Sequence, residues 1–218
     1  MLGATCGDSL AALALTDFPC MKLAASKGLS AGIVLGGLIL KLPQIIKMMA
    51  AKSGDGVSFT SYAMESAAMA IGLAYNYRQG YPFGTYGETL FIVCQNIFVM
   101  LLIMKYAGKH AGVLVTAVAV LAGGYALVDP HLTSAAQLLT LQQASVVFGN
   151  LSKCPQILSN YRKKNTGQLS AATVAMQLLG SMARVFTTAT EVKDTTILLN
   201  FAAASLLNMV VFYQCIAY

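Results

Sequence analysis

The feature that most constrains this chain is an internal repeat in its amino-acid sequence. The segment Lys41–Ile45 recurs 112 residues later as Lys153–Ile157, and both copies contain the dipeptide Pro-Gln. At the same offset, Asn96 is matched by Asn208. Because the offset stays constant without a gap, the sequence predicts two copies of one structural unit within a single chain.

Apolar stretches make up most of both copies. The chain is 57% hydrophobic and only 10% charged, whereas soluble domains carry about 25% charged residues. A transmembrane helix needs about 20 mainly apolar residues. The sequence therefore predicts an all-α membrane protein with seven spans: Leu29–Met49, Phe59–Tyr77, Thr85–Tyr106, Ala111–Val128, Ala135–Tyr161, Leu169–Ala189 and Ile197–Ala217.

The repeat orders these spans as three, one and three. Spans one to three recur as spans five to seven, and the fourth span is a linker that restores the direction of the chain, so the two halves are parallel repeats. The predicted organisation is an interfacial N-terminal segment (1–28), a first repeat (29–106), a linker helix and loop (107–134), and a second repeat (135–218).

Lysine and arginine predict the orientation of the chain, because cytosolic loops are enriched in both. One predicted side collects seven of them and the opposite side four, and the N-terminus is accordingly predicted to be luminal and the C-terminus cytosolic. That side carries Lys47, Lys52, Lys105, Lys109, Arg162, Lys163 and Lys164. Since these residues form short clusters between apolar runs, membrane topology explains them better than nucleic-acid binding does.

The two prolines of the repeated motif predict irregular helices. Pro43 and Pro155 each remove a backbone donor inside an apolar span, which kinks a helix. Nearby polar groups must satisfy the freed carbonyl groups in a bilayer, and Gln44 and Gln156 are candidates for this role. Each kink could be static, or it could be a hinge that opens and closes the cytosolic end.

Polar residues inside predicted spans are the candidate site residues, since buried charge in a membrane requires a partner or a role. Glu88 and Arg184 both fall in the luminal half and are predicted to form an ion pair. They could stabilise packing, or bind a polar or anionic headgroup, with Arg184 on a phosphate. Gln142 belongs to the most polar span, which predicts a buried helix that lines a cavity.

No pattern typical of an enzyme, a metal site or a cofactor site occurs in the sequence. It contains five cysteines in no CxxC pair and only two histidines, so the protein is predicted to be neither an enzyme nor a metal-binding or cofactor-binding protein. Cys6 and Cys20 flank the N-terminal segment and could form a disulfide if that end is luminal.

The motifs Pro43-Gln44 and Pro155-Gln156 resemble those of the PQ-loop superfamily, which includes the SWEET sugar transporters, cystinosin and the KDEL receptor. The resemblance implies the same bundle of three, one and three helices. Sugar-transporting relatives carry an asparagine pair on the third and seventh spans. The resemblance therefore implies that Asn96 and Asn208 line a sugar pocket, although hydrogen bonding between helices is an alternative role for them.

A closer resemblance covers nearly the whole chain. Pro82-Phe83 with Gly87-Glu88, the segment Thr166–Ser170 and the segment Gly180–Thr187 are similar to the mannose-P-dolichol utilization defect protein family. This resemblance implies an endoplasmic-reticulum membrane protein that is needed for the use of dolichol-phosphate mannose and glucose. Its partners would be membrane lipids, dolichol-phosphate sugars and other membrane proteins. A small-solute carrier and an accessory subunit of a membrane complex are the alternatives.

The topology can be tested by labelling single cysteines. Ser53→Cys and Ser134→Cys lie in loops that the orientation puts on opposite sides of the membrane. A membrane-impermeant thiol reagent should label Ser53→Cys from the cytosolic side and Ser134→Cys only after the luminal side is opened. Labelling of both positions from one side contradicts the topology.

Overall fold

A computed structural model describes residues 18–165, 171–192 and 194–217. Within these ranges all regular secondary structure is α-helical, which confirms the predicted all-α class. The helices are α1 Phe18–Ile39, α2 Leu42–Ala51, α3 Phe59–Arg78, α4 Phe83–Tyr106, α5 His110–Val128, α6 Ala135–Leu151, α7 Cys154–Lys163, α8 Ala171–Glu191 and α9 Thr195–Ala217.

The helix boundaries repeat with the same offset as the sequence. The starts of α2, α3 and α4 lie 112 residues before the starts of α7, α8 and α9. Both short helices also end on a lysine in the left-handed conformation, Lys52 with φ 48° and Lys164 with φ 50°. The repeat is therefore confirmed at the level of the backbone.

The chain is a multi-pass membrane protein. In the described ranges, four segments are long and apolar enough to cross a bilayer: Phe18–Ala51, Phe83–Tyr106, His110–Val128 and Thr195–Ala217. Their surfaces expose large apolar side chains such as Leu121, which is 73% exposed on α5. Three helices, α3, α6 and α8, are shorter or more polar, so the arrangement of seven spans stays a prediction.

The first helix begins eleven residues earlier than the predicted start of the first span at Leu29. It starts at Phe18, so residues 18–28 of the predicted N-terminal segment are helical, and residues 1–17 lie outside the described part. Lys22 and Lys27 lower the local hydropathy and made the span look shorter. The Lys27 ammonium, however, pairs with the Glu191 carboxylate, and this ion pair lowers the cost of burying the charge of Lys27.

The described residues form two compact units. Unit 1 comprises the residues up to Gly32 and those from Val146, and unit 2 is Ile33–Ser145. In unit 1, α9 packs against α8 and α7; in unit 2, α3, α4 and α5 pack on one another and α2 packs on α4. The core of unit 2 consists of Ile45, Met48, Tyr62, Val99, Met100 and Leu102. The boundaries of these units differ from those of the repeats, because the first part of α1 belongs with the second repeat.

Two loops of unit 2 lie at opposite ends of its helices. The Arg78 guanidinium at the end of α3 donates to the carbonyl oxygen of Thr133 at 2.7 Å, so the segment after α5 lies beside the end of α3. Gly54, in the loop before α3, lies against Ile103 near the end of α4, where a Cβ atom at residue 54 would be 3.2 Å from the Ile103 Cα. Within this unit the chain therefore alternates in direction as predicted.

The Pro-Gln motifs begin new helices. The first helix ends at Ile39, residues Leu40 and Lys41 form a turn, and α2 begins at Leu42 with Pro43 in its first turn. Proline fits the first turn of a helix because the N–H that it lacks would have no intrahelical partner there. The predicted kink is therefore a complete break between two helices.

The amide of Gln95 repairs the first break. Its oxygen accepts the backbone N–H of Lys41 at 2.8 Å, and its nitrogen donates to the carbonyl of Gly37 at 2.7 Å. In a continuous helix, that N–H would bond to that carbonyl. Gln44, a candidate for this role in the sequence, accepts a hydrogen bond from the Tyr62 hydroxyl at 2.6 Å.

The second break is satisfied within its own segment. The Ser152 hydroxyl donates to the carbonyl of Gly149 at 2.7 Å, and Gly149 is the repeat equivalent of Gly37. Leu207 occupies the position equivalent to Gln95. Gln156, the other candidate, is exposed and makes no side-chain hydrogen bond within the described ranges. The two repeats thus close the same defect with different side chains.

Replacing Gln95 should destabilise the first break. Gln95→Leu leaves the Lys41 N–H and the Gly37 carbonyl without their partner, and a buried unmet polar group costs about 1–3 kcal/mol. We expect a lower unfolding temperature in detergent micelles, followed by circular dichroism. Gln156→Leu is the matched control and should change little. Equal melting temperatures for wild-type and Gln95→Leu protein would show that the amide bridge contributes nothing.

Candidate functional site

A large apolar groove lies within unit 2. Its volume is about 1130 Å³, and residues of α3, α4 and α5, with Leu141 of α6, line it. Several lining residues are exposed, among them Val115 (66%) and Tyr77 (59%), so the groove is open to its surroundings.

The groove extends along most of a bilayer. On α3 the lining runs from Phe59 to Tyr77, which at 1.5 Å per residue is about 27 Å, close to the hydrocarbon thickness of about 30 Å. Small side chains leave the space open between α3 and α5. They are Ala63, Ser66, Ala67, Ala70, Ala74, Ala119, Gly123, Gly124 and Ala126.

Unit 2 also contains buried polar atoms without a hydrogen-bond partner. They are the Ser66 hydroxyl, the Asn76 oxygen, both amide atoms of Asn96 and the Gln142 oxygen. Asn96 has no exposed surface at all, whereas Ser66 is 7% exposed and lines the groove. Unmet groups of this kind are costly in a protein interior, and a hydroxyl-bearing ligand or water would satisfy them.

A charged pair lies at the first helix break. The Lys41 ammonium is 3.4 Å from each carboxylate oxygen of Glu65 and 5.0 Å from the ring centre of Tyr62. The sequence did not predict this pair. The alternating direction of the helices was the available signal for this pair. Lys41 and Glu65 lie on either side of the loop at Gly54, at the same end of their helices.

The equivalent lysine at the second break has an uncharged partner. Lys153 donates its ammonium to the side-chain oxygen of Asn208. The Asn208 amide nitrogen in turn donates to the backbone carbonyl of Gln177 at 3.2 Å and to the Ser181 hydroxyl at 3.1 Å. Within the described ranges, no acidic side chain lies within ion-pair distance of Lys153.

The two asparagines therefore differ although the repeat makes them equivalent. Asn208 is 5% exposed and has its oxygen and its nitrogen bonded within unit 1. Asn96 in unit 2 is fully buried with both amide atoms unsatisfied. Of the pair predicted to bind sugar hydroxyls, Asn96 is therefore the one whose amide atoms both lack a partner.

A buried carboxylate joins α1 to α8 in unit 1. The Glu191 side chain, which is 4% exposed, pairs with the Lys27 ammonium. It also accepts the Ser26 hydroxyl at 2.5 Å and the Ser30 hydroxyl at 3.4 Å. The sequence analysis missed this cluster because it assigned Lys27 to an interfacial segment. The signal available in the sequence was the polar helical face formed by Ser26, Lys27 and Ser30, which is typical of a site that binds a carboxylate.

The pairings predicted for the remaining site residues stay predictions. Arg184 is buried on α8 in unit 1, and Glu88 lies on α4 in unit 2, where its backbone closely approaches Gly37. Cys20 is buried near the start of α1, and Cys6 lies outside the described residues. Their proposed pairings, Glu88 with Arg184 and Cys6 with Cys20, therefore await experiment.

Comparison with known proteins gives a consistent result. The family model of the PQ loop repeat matches residues 25–85 and 139–197. The human protein "Solute carrier family 66 member 3" is 31% identical over 176 residues, which cover 78% of this chain and 82% of that protein. No solved structure matches significantly.

The Glu191 cluster yields a stability prediction. Lys27→Met removes the cation from a nearly buried carboxylate and should lower the free energy of unfolding by roughly 1–3 kcal/mol, because an unpaired buried charge is costly. Adding Glu191→Gln should restore part of the loss, so the double variant should cost less than the sum of the single ones. Lys22→Met, an exposed lysine on the same helix, is the control. Additive effects in denaturant unfolding would contradict the pairing.

Proposed function

Because this chain belongs to the PQ-loop repeat family, we propose that it binds dolichol-phosphate mannose and dolichol-phosphate glucose and helps to present or translocate them for luminal glycosylation. The proposed location is the endoplasmic-reticulum membrane. Proteins of this family are transporters or accessory membrane proteins, so we propose no enzymatic activity.

The observation that carries the proposal is the apolar groove of unit 2. It is open, it runs about 27 Å along α3, and its lining is almost entirely apolar. A single leaflet accounts for about half of the 30 Å hydrocarbon core, so an acyl chain from one leaflet would fill only part of this length. A long isoprenoid chain could fill all of it.

Unsatisfied polar groups in the same unit support a ligand with hydroxyl groups. Amide side chains both donate and accept hydrogen bonds, and Asn96 and Gln142 hold unmet amide atoms inside unit 2. A lipid-linked sugar combines the two chemistries that this unit offers, an apolar chain and a polar headgroup. The resemblance to the mannose-P-dolichol utilization defect protein family favours the same ligand.

A small-solute carrier is the second candidate function. The name of the human relative, a solute carrier, favours it. A small polar solute would require a closed cavity with polar walls, because polar groups are costly to transfer into apolar surroundings. The groove of unit 2 has the opposite character, and we therefore prefer the lipid-linked ligand.

Filling the groove should abolish function. Ala67→Phe and Ala70→Phe place rings in the lining of α3, whereas Ala68→Phe, the matched control, substitutes an exposed neighbour that does not line the groove. In cells that lack their own family member, wild-type protein and Ala68→Phe should restore mannose transfer from dolichol-phosphate mannose. The two groove variants should restore at least about tenfold less, because the isoprenoid chain can no longer enter.

Protein levels and membrane extraction profiles must match among the variants. Full rescue by both groove variants would mean that the groove does not hold the ligand. The protein would then act through its surface, as an accessory subunit. Failure of the wild-type chain to rescue, at a normal level in the correct membrane, would contradict the proposed lipid altogether.

A further inference from the structure

The two helix breaks differ in the charge that surrounds their lysine. At the first break, Glu65 neutralises Lys41. At the second break, the residue equivalent to Glu65 is Gln177, and Lys153 contacts the uncharged Asn208. The change from carboxylate to amide at this position of the repeat thus accompanies the loss of the counter-ion at the second break.

An uncompensated ammonium group within a membrane protein indicates an external anion. Charged groups inside membrane-spanning regions are costly unless they are paired. Lys153 is half-buried, and its ammonium has three donors, of which Asn208 takes one. Within the described ranges no other acceptor contacts this group, so two donors remain for a ligand.

The surroundings of Lys153 hold its side chain in place. Asn208 is fixed by the Gln177 carbonyl and the Ser181 hydroxyl, and the Ser181 hydroxyl donates onward to the Leu178 carbonyl at 2.8 Å. Asn208 is therefore a positioning residue rather than a ligand contact. Lys153 also immediately precedes α7, and the partial positive charge at a helix N-terminus favours an anion there.

We propose that the Lys153 ammonium, positioned by Asn208, binds a phosphate group, carried by an isoprenoid lipid or free in solution. Arg184, to which the sequence analysis gave this role, is already engaged by another group of the protein. The proposal goes beyond the proposed function, because it names a phosphate-binding residue in unit 1 and its geometric argument stands on that unit alone.

The repeat itself supplies the test variants. Gln177→Glu introduces at the second break the carboxylate that the first break already has, and Lys153→Met removes the cation. Glu65→Gln is the matched control, because it makes the reverse change at the first break. Purified full-length protein would be titrated with dolichyl phosphate, with uncharged dolichol and with inorganic phosphate, and binding would be read by native mass spectrometry.

We expect wild-type protein and Glu65→Gln to bind dolichyl phosphate at least about tenfold more tightly than dolichol. Gln177→Glu and Lys153→Met should lose this difference and leave dolichol binding unchanged. Competition by inorganic phosphate that depends on Lys153 would support the site and assign it to free phosphate as well. Wild-type affinity for dolichyl phosphate in folded Gln177→Glu and Lys153→Met would overturn the proposal.

The two proposals fail separately. If dolichol does not bind but a phosphate probe still binds in a manner that depends on Lys153, the groove proposal fails and the phosphate site stands. If dolichol binds and Ala67→Phe blocks it, while Lys153→Met leaves dolichyl phosphate binding unchanged, the groove stands and the phosphate site is rejected.

Discussion

The structure depends on the rule that a bilayer interior supplies no water to a backbone group that leaves a helix. Each repeat breaks its first helix, and each break frees an N–H or a carbonyl that must find a partner. Gln95 reaches from α4 to close the first break, which ties α1 to α4. Ser152 closes the second break from within its own segment. Because α9 supplies no side chain to the second break, its polar residue near this position, Asn208, can accept a hydrogen bond from Lys153.

Charge is distributed by the same logic. Lys27 and Lys41 each have a carboxylate partner, so they stabilise contacts between helices and leave little charge for a ligand. Lys153 has no carboxylate partner within the described residues. The polar differences between the two repeats are therefore found at position 177 and at the two asparagines. The apolar groove has a different origin, since small side chains on α3 and α5 leave space that larger ones would fill.

The sequence predicted the repeat, the helical class and most helix positions, because apolar periodicity and a constant offset are properties of the chain itself. It missed the first turns of α1, because hydropathy counts Lys27 as a charge and does not see Glu191 beside it. It also offered Gln44 and Gln156, the nearest amides in the chain, as candidates to satisfy the freed carbonyl groups at the helix breaks. The amide that closes the first break, Gln95, lies 54 residues away from Lys41 along the chain. No local sequence pattern shows that the two are close in space. Asn96 and Asn208 are equivalent in sequence, and only their neighbours distinguish them.

The unequal hydrophobicity of the helices has a consequence for biosynthesis. The α5 helix and the three other strongly apolar segments can partition from the insertion machinery into lipid on their own. An arginine at the centre of a helix raises the free energy of insertion by about 2.5–3.5 kcal/mol, so α8, with Arg184 and Glu191, is a poor substrate for independent release. It should wait beside the machinery until α9 emerges and the two can leave as a pair. The synthesis of α9 would then complete the membrane integration of α8.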